Sequence, residues 1–171
     1  MYYKIVENFG PENGEKWKGY LQWRGLSLTK FDSVDGILRP DLFAPESKED
    51  WQHCVNKDFK INMITDLDYA KIVLKRYNNS ALVGVEIELE KGYVSKAGLL
   101  GYDIIDGYRD VSLVTNWGTD GEGIINNHVM LNGLIRDADQ AFKIRDRLRD
   151  DYSGDPHAEA CGVWAIYETS I

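Results

Sequence analysis

Cysteine is nearly absent from this sequence: Cys54 and Cys161 stand far apart, and neither belongs to a Cys-x-x-Cys pair. That excludes the disulfide framework of small secreted domains, and both thiols are expected to be reduced. Long apolar runs are missing too, since no uncharged stretch approaches the roughly 18 residues a membrane helix needs. The opening Met1-Tyr-Tyr-Lys-Ile-Val-Glu-Asn8 lacks the basic segment and apolar core of a secretory signal. The chain therefore reads as soluble and cytoplasmic, without a membrane partner. Positive charge is in deficit, with 20 Lys+Arg against 28 Asp+Glu and a formal net charge of −8. Such a surface repels phosphates, which argues against a nucleic-acid partner.

Apolar residues make up 43 % and charged residues 28 %, ordinary globular usage and far from the composition of disordered chains. A chain of 171 residues buries enough surface to fold around one core without staples. A single domain over 1–171 is expected, with no internal repeat and no low-complexity tract.

Two runs rich in aromatic and β-branched residues, Tyr2 to Glu7 and Gly19 to Leu26, flank a turn at Gly10 to Gly14 and read as strands. Phe31 to Pro45 loses periodicity and reads as a loop pinned by its apolar residues. Ser47-Lys-Glu-Asp50 has the form of a capping box and precedes Trp51, Cys54 and Val55 at helical spacing. Thr65-Asp-Leu-Asp68 repeats the cue before Leu67, Ala70, Leu74 and Tyr77. Asp137-Ala-Asp-Gln140 opens a third helix, with Ala138, Ala141, Phe142, Arg145 and Leu148 inward, ending before Ser153-Gly-Asp-Pro156.

From Ala81 to Glu90, Val83, Val85, Ile87 and Leu89 alternate with Gly84, Glu86, Glu88 and Glu90, the pattern of a strand with one core face and one wet face. Cys161 to Tyr167 is apolar throughout and predicts a central strand covered on both sides. Phe59 to Ile64, Leu99 to Ile105, Ser112 to Trp117 and His128 to Leu134 are further strand candidates. Strands in clusters with about three interspersed helices predict an α+β fold, helices on one face of a mostly antiparallel or mixed sheet.

Chemistry is harder to find. His157-Ala-Glu159 matches the His-x-Glu of zinc nucleobase deaminases, but that chemistry needs a downstream Pro-Cys-x-x-Cys. Only twelve residues follow Glu159, and Cys161 is the sole cysteine among them, so the reading is excluded. His53, Cys54, His128, His157 and Cys161 lack the paired spacing of a zinc site, and no metal or cofactor is expected. No Gly-x-Ser-x-Gly elbow, P-loop or Gly-x-Gly-x-x-Gly occurs. Thr119-Asp-Gly-Glu-Gly123 is glycine-rich, but its carboxylates would repel phosphate, and it reads as a turn. Of the five tryptophans, most are expected in the core.

One span stands out. Asp103, Asp106, Asp110, Asp120 and Glu122 fall within twenty residues, with Asn116 and Trp117 among them. Carboxylates at a strand end and on its loop can hold a cation, a ligand or a partner's basic side chain, or can simply cap turns and pair with Arg109. Trp117, between Asn116 and Gly118, has the character of an interface anchor.

Within this span, Leu100-Gly-Tyr-Asp-Ile-Ile-Asp106 followed by Ser112-Leu-Val-Thr-Asn-Trp-Gly118 resembles a Gly-aromatic-Asp-x-x-Asp block leading to a Ser-x-x-x-Asn-x-Gly block. That pattern belongs to small bacterial proteins of toxin-immunity or uncharacterised type, with Trp117 where a cysteine would stand. The resemblance covers about a tenth of the chain. It implies an interaction role and carries no catalytic residue over. The leading expectation is a non-catalytic acidic protein-binding domain of the immunity or inhibitor kind, masking a basic partner through Asp103, Asp106, Asp110, Asn116, Trp117, Asp120 and Glu122. The alternatives are an enzyme or metal-dependent domain using the same carboxylates, and an accessory structural domain.

Overall fold

A computed structural model of the chain describes residues 1–7, 43–57, 61–78, 80–106, 112–116 and 134–169. Six strands, β1 (Tyr2–Glu7), β2 (Cys54–Lys57), β3 (Ile61–Ile64), β4 (Ser80–Glu86), β5 (Leu99–Ile105) and β6 (Gly162–Glu168), form one sheet in the order β2-β3-β1-β4-β6-β5. Every pairing is antiparallel. The described helices are α1 (Lys48–His53), α2 (Leu67–Leu74), α3 (Leu113–Asn116), α4 (Ala138–Asp151) and α5 (Pro156–Glu159). The fold is α+β, and its sheet is antiparallel rather than mixed.

Residues paired across antiparallel strands share a face. On one face, Ile5, Ile64 and Leu82 pack with Tyr69, Ala70 and Val73 of α2. Further along that face Tyr102, Ile104, Val163, Ala165 and Tyr167 pack with Ala141, Phe142, Ile144 and Leu148 of α4. The two longest described helices thus lie on the same side. The opposite face carries Val6, Val83, Val85, Ile105, Trp164 and Ile166, all buried, together with Leu134.

Local sequence explains where the helices begin. Ser47 and Asp50 form a reciprocal capping box on α1. Asp66 and Asp137 each accept a hydrogen bond from the backbone three residues on, capping α2 and α4. The face of α4 is nearly the expected one, with Arg145 half-buried over the Phe142 ring at 4.9 Å. In β5, an extra residue shifts the register between Leu99 and Gly101. Gly101 has φ 151, a conformation side-chain-bearing residues rarely adopt, and beyond the shift Tyr102 and Ile104 face α4.

Three expectations are corrected. Cys54 and Val55 do not extend α1 but begin β2, paired to Ile64 and Met63, and Trp51 is 56 % exposed rather than core. Helical spacing of three apolar residues cannot show that the second and third already belong to a strand. Ser112 to Trp117 is no strand as far as it is described: Ser112 bridges Ile105, and Leu113–Asn116 is one helical turn. The wet face of β4 is absent, because Ala81 to Val85 are all buried, and the strand ends at Glu86. Leu82 and Gly84 lie under α2 and Met1 while Val83 and Val85 face the other side, so both faces are covered. By contrast, β6 is interior as expected, paired with β4 and β5, and Val163 to Tyr167 are buried on both faces. The expected strand at Gly19 to Leu26, the turn at Gly10 to Gly14, most of the Phe31 to Pro45 loop, and His128 to Leu134 other than Leu134 lie outside the described residues.

Candidate functional site

The residues singled out around β5 fall into three groups. Asp103 sits on β5 opposite Trp164 and is fully buried, at 0 % exposure. Its Oδ1 accepts hydrogen bonds from the Ile104 N–H at 2.8 Å and the Ser112 hydroxyl at 2.8 Å, while Oδ2 receives none from the described residues. Burial pushes the Asp103 carboxyl up to about 7, and the two donors on Oδ1 only partly offset it. At neutral pH this carboxyl is therefore poised between its acid and ionised forms.

Asp106, just past the end of β5, is 2 % exposed, and its Oδ2 lies 2.6 Å from Nδ1 of His157. His157 is on α5, a single turn opened by Asp155 as N-cap and Pro156 in the first position. Asp103 and Asp106, three residues apart, are not brought together: one faces the Trp164 side and the other meets α5 on the α4 side.

Neither buried carboxylate is presented to solvent as a rim charge. Both instead fasten chain segments to the end of β5. Ser112 bridges Ile105 in the backbone and donates to Asp103 in the side chain, and the same Ser112 Oγ accepts from the Val114 N–H at the start of α3. Ser112 is thus pinned to the end of β5 through both backbone and side chain. Asn116 is the last residue of α3. Asp110, Trp117, Asp120 and Glu122 lie outside the described residues, as does Arg109.

The cysteines are poorly set for chemistry. Burial pushes the Cys161 thiol up despite Arg149 beside it, and burial raises the Cys54 thiol to about 11. Among the described residues no group of three or more His, Cys, Asp or Glu could hold a metal ion. No described helix is long and apolar enough to cross a membrane.

Sequence reasoning found Asp103 and Asp106 but missed their partners Ser112 and His157. The dipeptide Asp155-Pro156, an N-cap followed by proline, was a usable signal for α5. Nothing local announces that α5 reaches Asp106. Compared with protein-family models, curated proteins and solved structures, the chain matches none.

Proposed function

We propose that this chain is a non-catalytic, acidic protein-binding domain of the immunity or inhibitor kind that masks a basic surface on a partner protein. The observation that carries the reading is the fixed frame at the end of β5, where Ile105 pairs with Ser112, the buried Asp103 accepts from Ser112, and the buried Asp106 is held by His157. In this reading Asp103 and Asp106 hold the frame, and Asp110, Trp117, Asp120 and Glu122 meet the partner. A net charge of −8 adds long-range attraction for a basic surface.

The test is capture of a partner by the tagged chain from its own cell, followed by identification of that partner and binding kinetics. Association should slow as salt rises, because the Debye length shrinks from about 10 Å at 0.1 M to about 3 Å at 1 M. Neutralising Asp110, Asp120 and Glu122 to their amides should lower the on-rate. Trp117→Ala should raise the off-rate, by on the order of 2 kcal/mol if it is an anchor. Unchanged kinetics in the combined, folded variant would sink the proposal.

A second reading, an enzyme using these carboxylates, draws support from the Asp106–His157 pair, since a carboxylate on Nδ1 orients an imidazole as a general base requires. The buried Cys161 nearby in sequence is held as a thiol and supplies no activated nucleophile. A hydrolytic activity abolished by His157→Gln in a protein that still folds would favour this reading over binding.

A further inference from the structure

A cleft of about 340 Å³ opens beside β5, between the loop after β4 and the first turn of α4, and neither Asp103 nor Asp106 lines it. Tyr93 lies on its apolar side, packed on Tyr102, which is only 3 % exposed. The rings of Tyr93 and Tyr102 meet edge to face, 6.4 Å apart at 88°. The polar end of Tyr93 is already engaged, its hydroxyl bonding the Glu86 carboxylate and the Tyr167 hydroxyl. Lys96 closes on the same Glu86. What Tyr93 leaves for a ligand is ring surface, held in place from behind.

The opposite wall carries charge. Asp137 is committed to α4, accepting the Gln140 N–H at 2.9 Å. Arg136 and Asp139 are exposed, line the cleft, and form no ion pair or hydrogen bond, with each other or otherwise, among the described residues. A free guanidinium and a free carboxylate three positions apart, facing a fixed aromatic ring, match a ligand with both charges and an apolar body. A lone anion would meet Asp139, and a lone cation would meet Arg136, so a singly charged ligand gains one contact and suffers one repulsion.

We propose that this cleft binds a free α-amino acid with an apolar side chain, its carboxylate on Arg136, its ammonium on Asp139 and its side chain against Tyr93. The volume is at the lower end of the roughly 300–1,000 Å³ of small-ligand sites, which suits one amino acid. The proposal is independent of the partner-binding role.

Titration of the full chain with L-phenylalanine, followed by amide-proton NMR, tests it, with phenethylamine and 3-phenylpropanoate as analogues lacking one charge. Saturable binding of L-phenylalanine is expected, with shifts at Tyr93, Tyr102, Arg136 and Asp139, and both analogues should bind roughly tenfold more weakly or worse. Arg136→Gln and Asp139→Asn, at exposed positions, should leave thermal melting unchanged and each weaken L-phenylalanine by about tenfold. Absence of saturable binding in the millimolar range would overturn the proposal. So would an analogue that binds as tightly as the amino acid, or either variant retaining full affinity.

Discussion

Two of the carboxylates buried among the described residues, Asp50 and Asp103, lie at opposite ends of the sheet, and their acidities are shifted in opposite directions. Asp50, 1 % exposed, receives five donors: the backbone N–H groups of Glu46 and Ser47, the Ser47 hydroxyl, the Tyr69 hydroxyl at 2.8 Å and the Arg76 guanidinium at 2.7 Å. Burial opposes its ionisation, but the bonds from Tyr69, Ser47 and Arg76 outweigh that and hold the carboxyl well below its usual range. Asp103 receives two donors, both on Oδ1, and is raised to about 7. Burial alone does not decide the charge of a carboxylate. The number of donors that folding aims at it does.

Placing a carboxylate where no donor awaits extends the series. Val163 is 0 % exposed in β6, packed against Ile104 and the α4 face. Val163→Asp should abolish cooperative melting, at a cost of more than about 4 kcal/mol for an unpaired buried charge. A soluble variant with a wild-type melting profile would show that this strand is not core.

Asp103→Asn tests the half-satisfied case through pH. A carboxyl raised from 3.8 to about 7 binds its proton more tightly in the folded state, so its contribution is full below 3.8 and is lost as pH rises to about 7. The wild-type protein should lose stability across that window, and Asp103→Asn should flatten the loss. At pH 8 the variant should be the more stable by roughly 2–4 kcal/mol, taking about 1.4 kcal/mol per pH unit as the ceiling. Denaturant melts at pH 4, 6 and 8 read this directly, and parallel curves for the two proteins would refute it.

Asp50→Ala should show the opposite slope. Its depressed carboxyl contributes stability above 3.8 that is lost as pH falls. The variant loses the capping box and leaves the buried Tyr69 hydroxyl short of an acceptor. A cost of about 2 kcal/mol at pH 7 is expected, shrinking in acid. The smallest effect belongs to the neighbouring Trp51, 56 % exposed on α1. Trp51→Ala should change stability by no more than about 0.5 kcal/mol, whereas a loss of several kcal/mol would restore it to the core.

Much of the scaffold was legible before folding was considered. The spans of β1 and β5 match the expected runs to the residue, and α2 and α4 start where short acidic caps precede an apolar stripe. The candidate site was legible only as a list of residues. Asp103 and Asp106 were visible as carboxylates near a strand end, but their burial depends on Trp164, Ser112 and His157, all distant or structurally unannounced in the sequence. The cleft was not legible at all, because Tyr93, Tyr102 and Arg136 come from three separate segments.

Caps, alternation and apolar runs are local properties, set by hydrogen-bond geometry and side-chain direction within a few residues, and these the sequence by itself determined: an α+β chain with an apolar β6 and capped helices. Burial on both faces of β4, the switch from helix to strand at Cys54, and the opposite shifts in acidity of Asp50 and Asp103 belong to the tertiary structure. Each depends on which distant groups arrive beside a residue, and desolvation and donor count act only once they have arrived.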